Sequence, residues 1–250
     1  MHHRGPDATG YFRSGDYTLG HKRLRILDLD DRSNQPFASR NGRYLMVYNG
    51  EVYNYKELAK QHSIERRTDS DTEVLVELYA KYGSRFLSML NGMFALCILD
   101  TQTKEIFVAR DRLGVKPLYM CQENGHLTLA SEIAPVIELT GRDKFDSRGL
   151  RQYLKLRTFF NGRTAYEGIK MFPAGHYMLN GKLHCYWQLP EESQRPPTDE
   201  EVVELIGSSI KERLVSDVPI GSYLSGGLDS TIIAALSQNP HTWTVGFSEL

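Results

Sequence analysis

Two groups of residues in this chain have the types and spacing to do chemistry. The first is Ser225-Gly226-Gly227-Leu228-Asp229-Ser230, which follows the apolar stretch 220–224 and precedes another at 231–236. Adjacent glycines let backbone N–H groups form a concave nest. The serines add hydroxyl donors and a following helix adds positive potential, a combination that suits a pyrophosphate. Asp229 would repel that anion unless a hard cation lay between them, which makes it a candidate Mg²⁺ ligand. The spacing GxxxxGK(S/T) is absent, so transfer of a terminal phosphoryl group is disfavoured. Read alone, a Gly-Gly pair is a tight turn capped by serine; the six ordered residues between a strand and a helix argue for more.

The second group lies in the first third of the chain. Arg23, at the end of a predicted strand, can fork onto a carboxylate with two parallel hydrogen bonds. Asp71 and Glu51 offer acceptors for an ammonium group. Asn49 and Gly50 supply a side-chain amide and an unobstructed backbone N–H, the kind of donor pair that stabilises an oxyanion during amide hydrolysis. Together they describe a site for an amino acid with a side-chain amide. Singly, each has a plainer reading: Arg23 as a surface ion pair, Asp71 as a helix cap, Asn49-Gly50 as a hairpin turn.

These residues need a scaffold, and the pattern predicts mostly short strands at 10–12, 17–23, 44–49, 93–99, 105–109, 118–121 and 127–130. The run 93–99 is nearly continuous in apolar character, as in a strand covered on both faces. Val74, Leu75, Leu78 and Tyr82 recur at helical spacing over 71–82, and a short helix is expected at 85–90. Residues 189–200, LPEESQRPPTDE, read as a linker entering a helix. Thr198 and Glu201 have capping-box spacing, and Val202, Val203, Ile206, Ile210 and Leu214 form an apolar stripe expected to pack in a core. Strand, loop, helix and a strand at 242–247 complete a parallel α/β unit. The expected domains are 1–189, a linker at 190–200, and 201–250.

The 250 residues carry 30 Lys and Arg against 31 Asp and Glu, so no global field recruits nucleic acid or an anionic membrane. Cys97, Cys121 and Cys185 are widely spaced, which argues against disulfides and structural zinc, and a reducing, cytoplasmic setting is expected. No apolar run approaches membrane-spanning length.

Five stretches, HRGPD (3–7), HKRLRILDL (21–29), NGEVYN (49–54), TDSDTE (68–73) and ARDRLGVKPLY (109–119), together with SDVPIGSYLSGGLDS, jointly resemble the glutamine-hydrolysing asparagine synthetases over essentially the whole chain. The SGGLDS loop resembles the PP-loop of ATP pyrophosphatases. The resemblance implies an α+β fold: an N-terminal-nucleophile hydrolase αββα sandwich, incomplete, followed by the start of an α/β PP-loop domain. It implies a ligase that adenylates aspartate with Mg²⁺-ATP and aminates it with ammonia from glutamine, and it leaves a homodimer open. The implied glutamine-binding residues are Arg23, Leu24, Ile26, Asn49, Gly50, Glu51 and Asp71, with Asn49 and Gly50 as the oxyanion hole. The implied ATP-binding residues are Leu224, Ser225, Gly226, Gly227, Leu228, Asp229, Ser230 and Val245. Arg25 departs from the family, which often has a small residue there. For 109–119 and the ASEI segment at 130–133 only a structural role near the inter-domain face is carried over.

The resembled family attacks glutamine with an N-terminal cysteine whose α-amine serves as base. Residue 1 here is Met and the first cysteine is Cys97. The expectation is a chain shortened at both ends, without its opening strand and without the aspartate site, and inactive as it stands. Two alternatives are a relative that amidates another acid and a non-catalytic glutamine-binding module.

Overall fold

Alternating residues at the start of the chain build a hairpin, β1 (Ala8–Ser14) against β2 (Tyr17–Arg23), turned at Gly15, whose φ of 56° suits a residue without a Cβ. β3 (Phe37–Ala38) is short and pairs only with the start of β4 (Tyr44–Val52). β4 in turn pairs along its whole length with β5 (Gly92–Asp100). β6 (Ile106–Arg110) extends that sheet, and β7 (Tyr119–Glu123) and β8 (His126–Ala130) form a second hairpin. β9 (Ile169–Met171) joins β7, while β10 (His176–Leu179) and β11 (Lys182–Cys185) return to the first sheet. The result is a six-stranded sheet ordered β11-β10-β6-β5-β4-β3 and a three-stranded sheet ordered β8-β7-β9.

The computed structural model describes residues 1–191, 195–238 and 241–246. These divide into two compact units, one of Met1–Arg25 with Asp30–Leu189, the other of Ile26–Leu29 with Pro190–Leu250.

In the first unit the layers follow from which faces are apolar. Ala95, Val108, Leu118, Phe172 and Met178 form a core between the two sheets. Outside the six-stranded sheet lie α1 (Tyr55–Gln61) and α2 (Asp71–Tyr82), the latter burying Val74, Leu75 and Leu78 completely. Each such side chain contributes about 1.5–3 kcal/mol by leaving water. Outside the three-stranded sheet lies α3 (Ile133–Thr140), with Val136 against Cys121 and Ile169. The order helix, sheet, sheet, helix is the expected αββα sandwich. α4 (Ser147–Leu156) follows behind its Asp146 cap, and residues 83–89 form a 3-10 turn where a short helix was expected.

In the second unit α5 (Asp199–Glu212) starts with the expected capping box. Thr198 accepts the Glu201 N–H at 3.2 Å, and Glu201 accepts the Thr198 N–H at 2.8 Å. Its apolar stripe differs from expectation: no residue of α5 is buried among those described, and Leu214 lies past the helix end. β12 (Ser222–Tyr223), α6 (Leu228–Ser237) and β13 (Thr242–Trp243) form a parallel unit in the expected order, with shorter strands than expected: 220–221, 224 and 244–246 are irregular. Phe247, the expected end of that last strand, and 192–194 of the linker lie outside the described residues. Among the described residues no helix is long and apolar enough to cross a membrane.

Candidate functional site

The outer edge of β4 organises the first site. Phe94, opposite Gly50, directs both main-chain groups to Asp111: its N–H donates to Asp111 Oδ2 at 3.2 Å and its carbonyl accepts the Asp111 N–H at 2.7 Å. Gly50 and Phe94 are therefore a non-hydrogen-bonded pair, and the Gly50 N–H points away from β5 toward the edge that β3 leaves open. Side chains cap that edge on either side. The Tyr48 N–H donates to Gln35 Oε1 at 2.6 Å, the Tyr48 carbonyl accepts from His21 Nε2 at 3.1 Å, and the Val52 N–H donates to Asp71 Oδ2 at 3.0 Å. Only glycine fits between these caps. A Cβ at position 50 would lie 2.3 Å from the Met93 carbonyl oxygen and 2.7 Å from Tyr48 Cε2.

The Asn49 side chain leaves β4 on the face opposite Tyr48. It lines a cavity of about 500 Å³ with Val47, Cys97, Leu118, Leu129 and Ser131, and its Nδ2 donates to Ser131 Oγ at 3.4 Å. Burial pushes the Cys97 thiol up to about 12, so this neighbour is an inert thiol at neutral pH, as its buried strand suggests.

The TDSDTE stretch is a self-supporting loop that delivers Asp71. Glu73 is fully buried and accepts from the Arg67 N–H and Nε, the Thr68 N–H and the Thr68 hydroxyl, all at 2.7–2.9 Å. Burial alone would raise its pKa, but these donors hold it below the usual value. Ser70 then caps α2 by accepting the Thr72 N–H. Asp71 is buried, and its Oδ2 takes the Tyr48 hydroxyl at 2.7 Å as well as the Val52 N–H. Burial raises its pKa despite those donors. Glu51, on the face of β4 shared with Asn49, is more open. Burial and then the charge of Asp71 push its carboxyl up to about 7, with the Lys116 ammonium pulling it back.

Lys116 lies within electrostatic range of Glu51 on a loop that Asp111 and Arg110 fold. Asp111 accepts the N–H groups of Leu113, Val115 and Lys116, while Arg110 donates to the carbonyls of Gly114, Lys116 and Phe172. Burial lowers the Lys116 pKa, Glu51 opposing.

Arg23 is buried at the end of β2, where Nη1 donates to the Asp30 carbonyl at 2.8 Å and to Asn34 Oδ1 at 3.0 Å. Leu24 is exposed beside it, and Ile26 belongs with the second unit.

In the second unit, Gly226 at φ 80° makes the turn and Gly227 caps α6. Ser225 and Ser230 bring their hydroxyls within 3.0 Å, and Thr231 Oγ1 donates to the Gly227 carbonyl at 2.8 Å. The helix therefore begins at Leu228, three residues before its expected start, and Asp229 and Ser230 lie in its first turn rather than in the loop. Leu224 and Val245 follow the adjacent parallel strands β12 and β13, and Thr244 donates to the Leu224 carbonyl at 2.7 Å. Asp229 is exposed, and no group of three His, Cys, Asp or Glu gathers to hold a metal among the described residues. One exposed carboxylate is a donor set compatible with Mg²⁺, which keeps most of its waters and takes its remaining ligands from nucleotide phosphates.

His21, Gln35, Tyr48, Lys116 and Ser131 are the site's neighbours that residue types alone did not reveal. Each acts across more than ten residues of sequence, so no local spacing marks it.

The profile of the glutamine amidotransferase domain family matches residues 1–187, and that of the asparagine synthase family matches 201–249. A putative glutamine-hydrolysing asparagine synthetase of Methanocaldococcus jannaschii is 32% identical over 98% of this chain and 55% of its own length. Asparagine synthetase B of Escherichia coli is 34% identical over 95% of this chain and 40% of its own, and amidase chry2 of Gibberella zeae is 34% identical over 94% and 37%. The chain spans about half the length, or less, of the curated relatives it matches. The solved glutamine phosphoribosylpyrophosphate amidotransferase of Bacillus subtilis superposes with a TM-score of 0.50 at 18% identity, covering 91% of this chain and 51% of that one, a likeness of fold.

Proposed function

The chain belongs to the glutamine amidotransferase family, and on that premise we propose that its first unit binds glutamine while its second binds Mg²⁺-ATP, as parts of a glutamine-dependent asparagine synthesis. The observation that carries the reading is the single glycine N–H turned to the open edge of β4 between two capped residues, beside Asn49. That is the position of a donor reserved for a developing oxyanion.

In this reading Arg23 forks onto the α-carboxylate with Leu24 beside it. Glu51 and the charge of Asp71 hold the α-ammonium. Asn49 and Gly50 stabilise the oxygen of the side-chain amide as it becomes tetrahedral. In the second unit Ser225, Gly226, Gly227, Leu228 and Ser230 cradle the phosphates, Asp229 faces the cation, and Leu224 and Val245 line the base. The nucleotide supplies activation of the acceptor acid by adenylation. These residues orient its phosphates.

The chain's three thiols are Cys97, Cys121 and Cys185, and Cys97 is held as an unreactive thiol. In this reading glutamine is attacked by an activated thiolate that Cys97 does not supply, and the 250 residues bind glutamine without cleaving it. Glutamate production that scales with protein and survives replacement of all three cysteines would sink that view. A second reading is amidation of another acid: a fungal relative of equal identity carries a name other than asparagine synthetase. Supplying aspartate and other acids to the protein with Mg²⁺-ATP and ammonia, and following pyrophosphate, separates the two.

A further inference from the structure

His21 sits on β2, yet its ring is committed to β4. Nε2 lies 3.1 Å from the Tyr48 carbonyl oxygen, and Nδ1 is buried with no hydrogen-bond partner among the described residues. Burial pulls the imidazole down to about 4, against the pull of that carbonyl and aided by the Arg23 charge, so at neutral pH the ring carries one proton. A neutral ring placed against a carbonyl must hold that proton on Nε2 and donate it there. In that tautomer Nδ1 is an acceptor, and among the described residues it has no donor, which costs stability.

The bond matters because of what Tyr48 is. Its N–H is held by Gln35 at 2.6 Å, its hydroxyl by Asp71 at 2.7 Å, and its carbonyl by His21. That carbonyl belongs to the peptide that leads into Asn49, and the Tyr48 ring is one of the groups, with the Met93 carbonyl, that a Cβ at Gly50 would strike. β3 pairs no further than Met46, so these side chains stand where a neighbouring strand would otherwise fix the backbone.

We propose that His21 is a positioning residue, which by donating from Nε2 to the Tyr48 carbonyl fixes the peptide that presents Asn49 and Gly50 to the ligand. The proposal rests on the glutamine reading for its purpose, but its geometry can be tested without ligand.

The test uses the 250-residue chain labelled with ¹⁵N, His21→Leu and His21→Gln, with the Gly50 and Tyr48 amides as reporters. In the ligand-free chain His21→Leu should shift the Gly50 amide and speed hydrogen exchange at Tyr48. His21→Gln, which can place an N–H near the Nε2 position, should restore both. With glutamine added, the ligand-induced shift of Gly50 should shrink in His21→Leu and return in His21→Gln. Binding should weaken between about twofold and tenfold in His21→Leu, the worth of one net hydrogen bond. A Gly50 amide that is the same in His21→Leu as in the unmodified chain, with and without glutamine, would overturn the proposal. If glutamine moves no resonance of the unmodified chain, the glutamine reading fails, and the ligand-free shifts still decide the role of His21. Should His21→Leu not fold, His21→Asn replaces it: its amide is too short to reach Tyr48, so Asn and Gln variants that behave alike contradict the assignment.

Discussion

The Tyr48 hydroxyl donates to Asp71 Oδ2 at 2.7 Å, and the same oxygen takes the Val52 N–H at 3.0 Å, so one buried carboxylate ties the residues on both sides of Gly50 to the start of α2. The helix and the strand edge are thereby one mechanical piece. Tyr48→Phe removes one donor from a carboxylate that burial already penalises. It should cost about 1–3 kcal/mol, read by denaturant unfolding. An unchanged midpoint would mean the hydroxyl contributes nothing.

Gly50→Ala tests the same edge from the steric side. Its new Cβ would meet the Met93 carbonyl oxygen, which belongs to the paired strand and cannot swing away. Overpacking of this kind costs about 1–3 kcal/mol. Unfolding should show that loss, and calorimetry should show weakened glutamine binding. An alanine variant as stable and as avid as the parent chain would place the β4 edge elsewhere.

Glu51 makes binding pH-dependent. Its carboxyl titrates at about 7, and an ammonium group prefers the ionised form. Glutamine affinity should therefore rise as pH increases through about 7, with proton release on binding in the lower half of that range. Glu51→Gln should bind more weakly at high pH and show a flat profile. An equal slope in both proteins would assign the titration to another group.

His21 gives a stability signature of opposite origin. Its pKa falls from 6.5 to about 4 on folding, so between those values the unfolded chain binds the extra proton. Folding stability must then decline as pH falls from about 6.5 toward 4. His21→Gln removes that component, and its stability should fall less steeply with acid than that of the parent chain. Parallel curves would show that the ring titrates normally.

In the second unit, Asp229→Ala should leave the loop folded, since its hydrogen bonds run between Ser225, Gly227, Ser230 and Thr231. Titration with ATP should lose its dependence on Mg²⁺. If affinity for Mg²⁺-ATP is the same with and without the carboxylate, the cation is not held there.

Much of this was readable from residue types. The short strand runs of β1 and β2, the near-continuous apolar run of β5, the apolar spacing of α2 and the Thr198 box are local patterns, and they form as the sequence predicts. α3 is harder to see because Pro135 interrupts it, tolerated only within its first turn. β9, β10 and β11 run three or four residues and show no period. Asn49, Gly50, Glu51 and Asp71 were legible as chemistry, while the caps that hold them were not. His21, Gln35 and Tyr48 are joined by contacts between distant segments, which spacing cannot encode.

The central claim is that the first unit holds glutamine, with Arg23 on its α-carboxylate. Calorimetric titration of glutamine into the 250-residue chain and its Arg23→Ala variant tests this most directly. Loss of a charged contact worth about 1.5–3 kcal/mol predicts saturable one-to-one binding in the parent chain that weakens at least tenfold in the variant. Titration of glutamine amidated at its α-carboxyl should give the parent chain the same loss and the variant none. Binding that is absent from the parent chain, or that is equal in both chains for both ligands, would contradict the account.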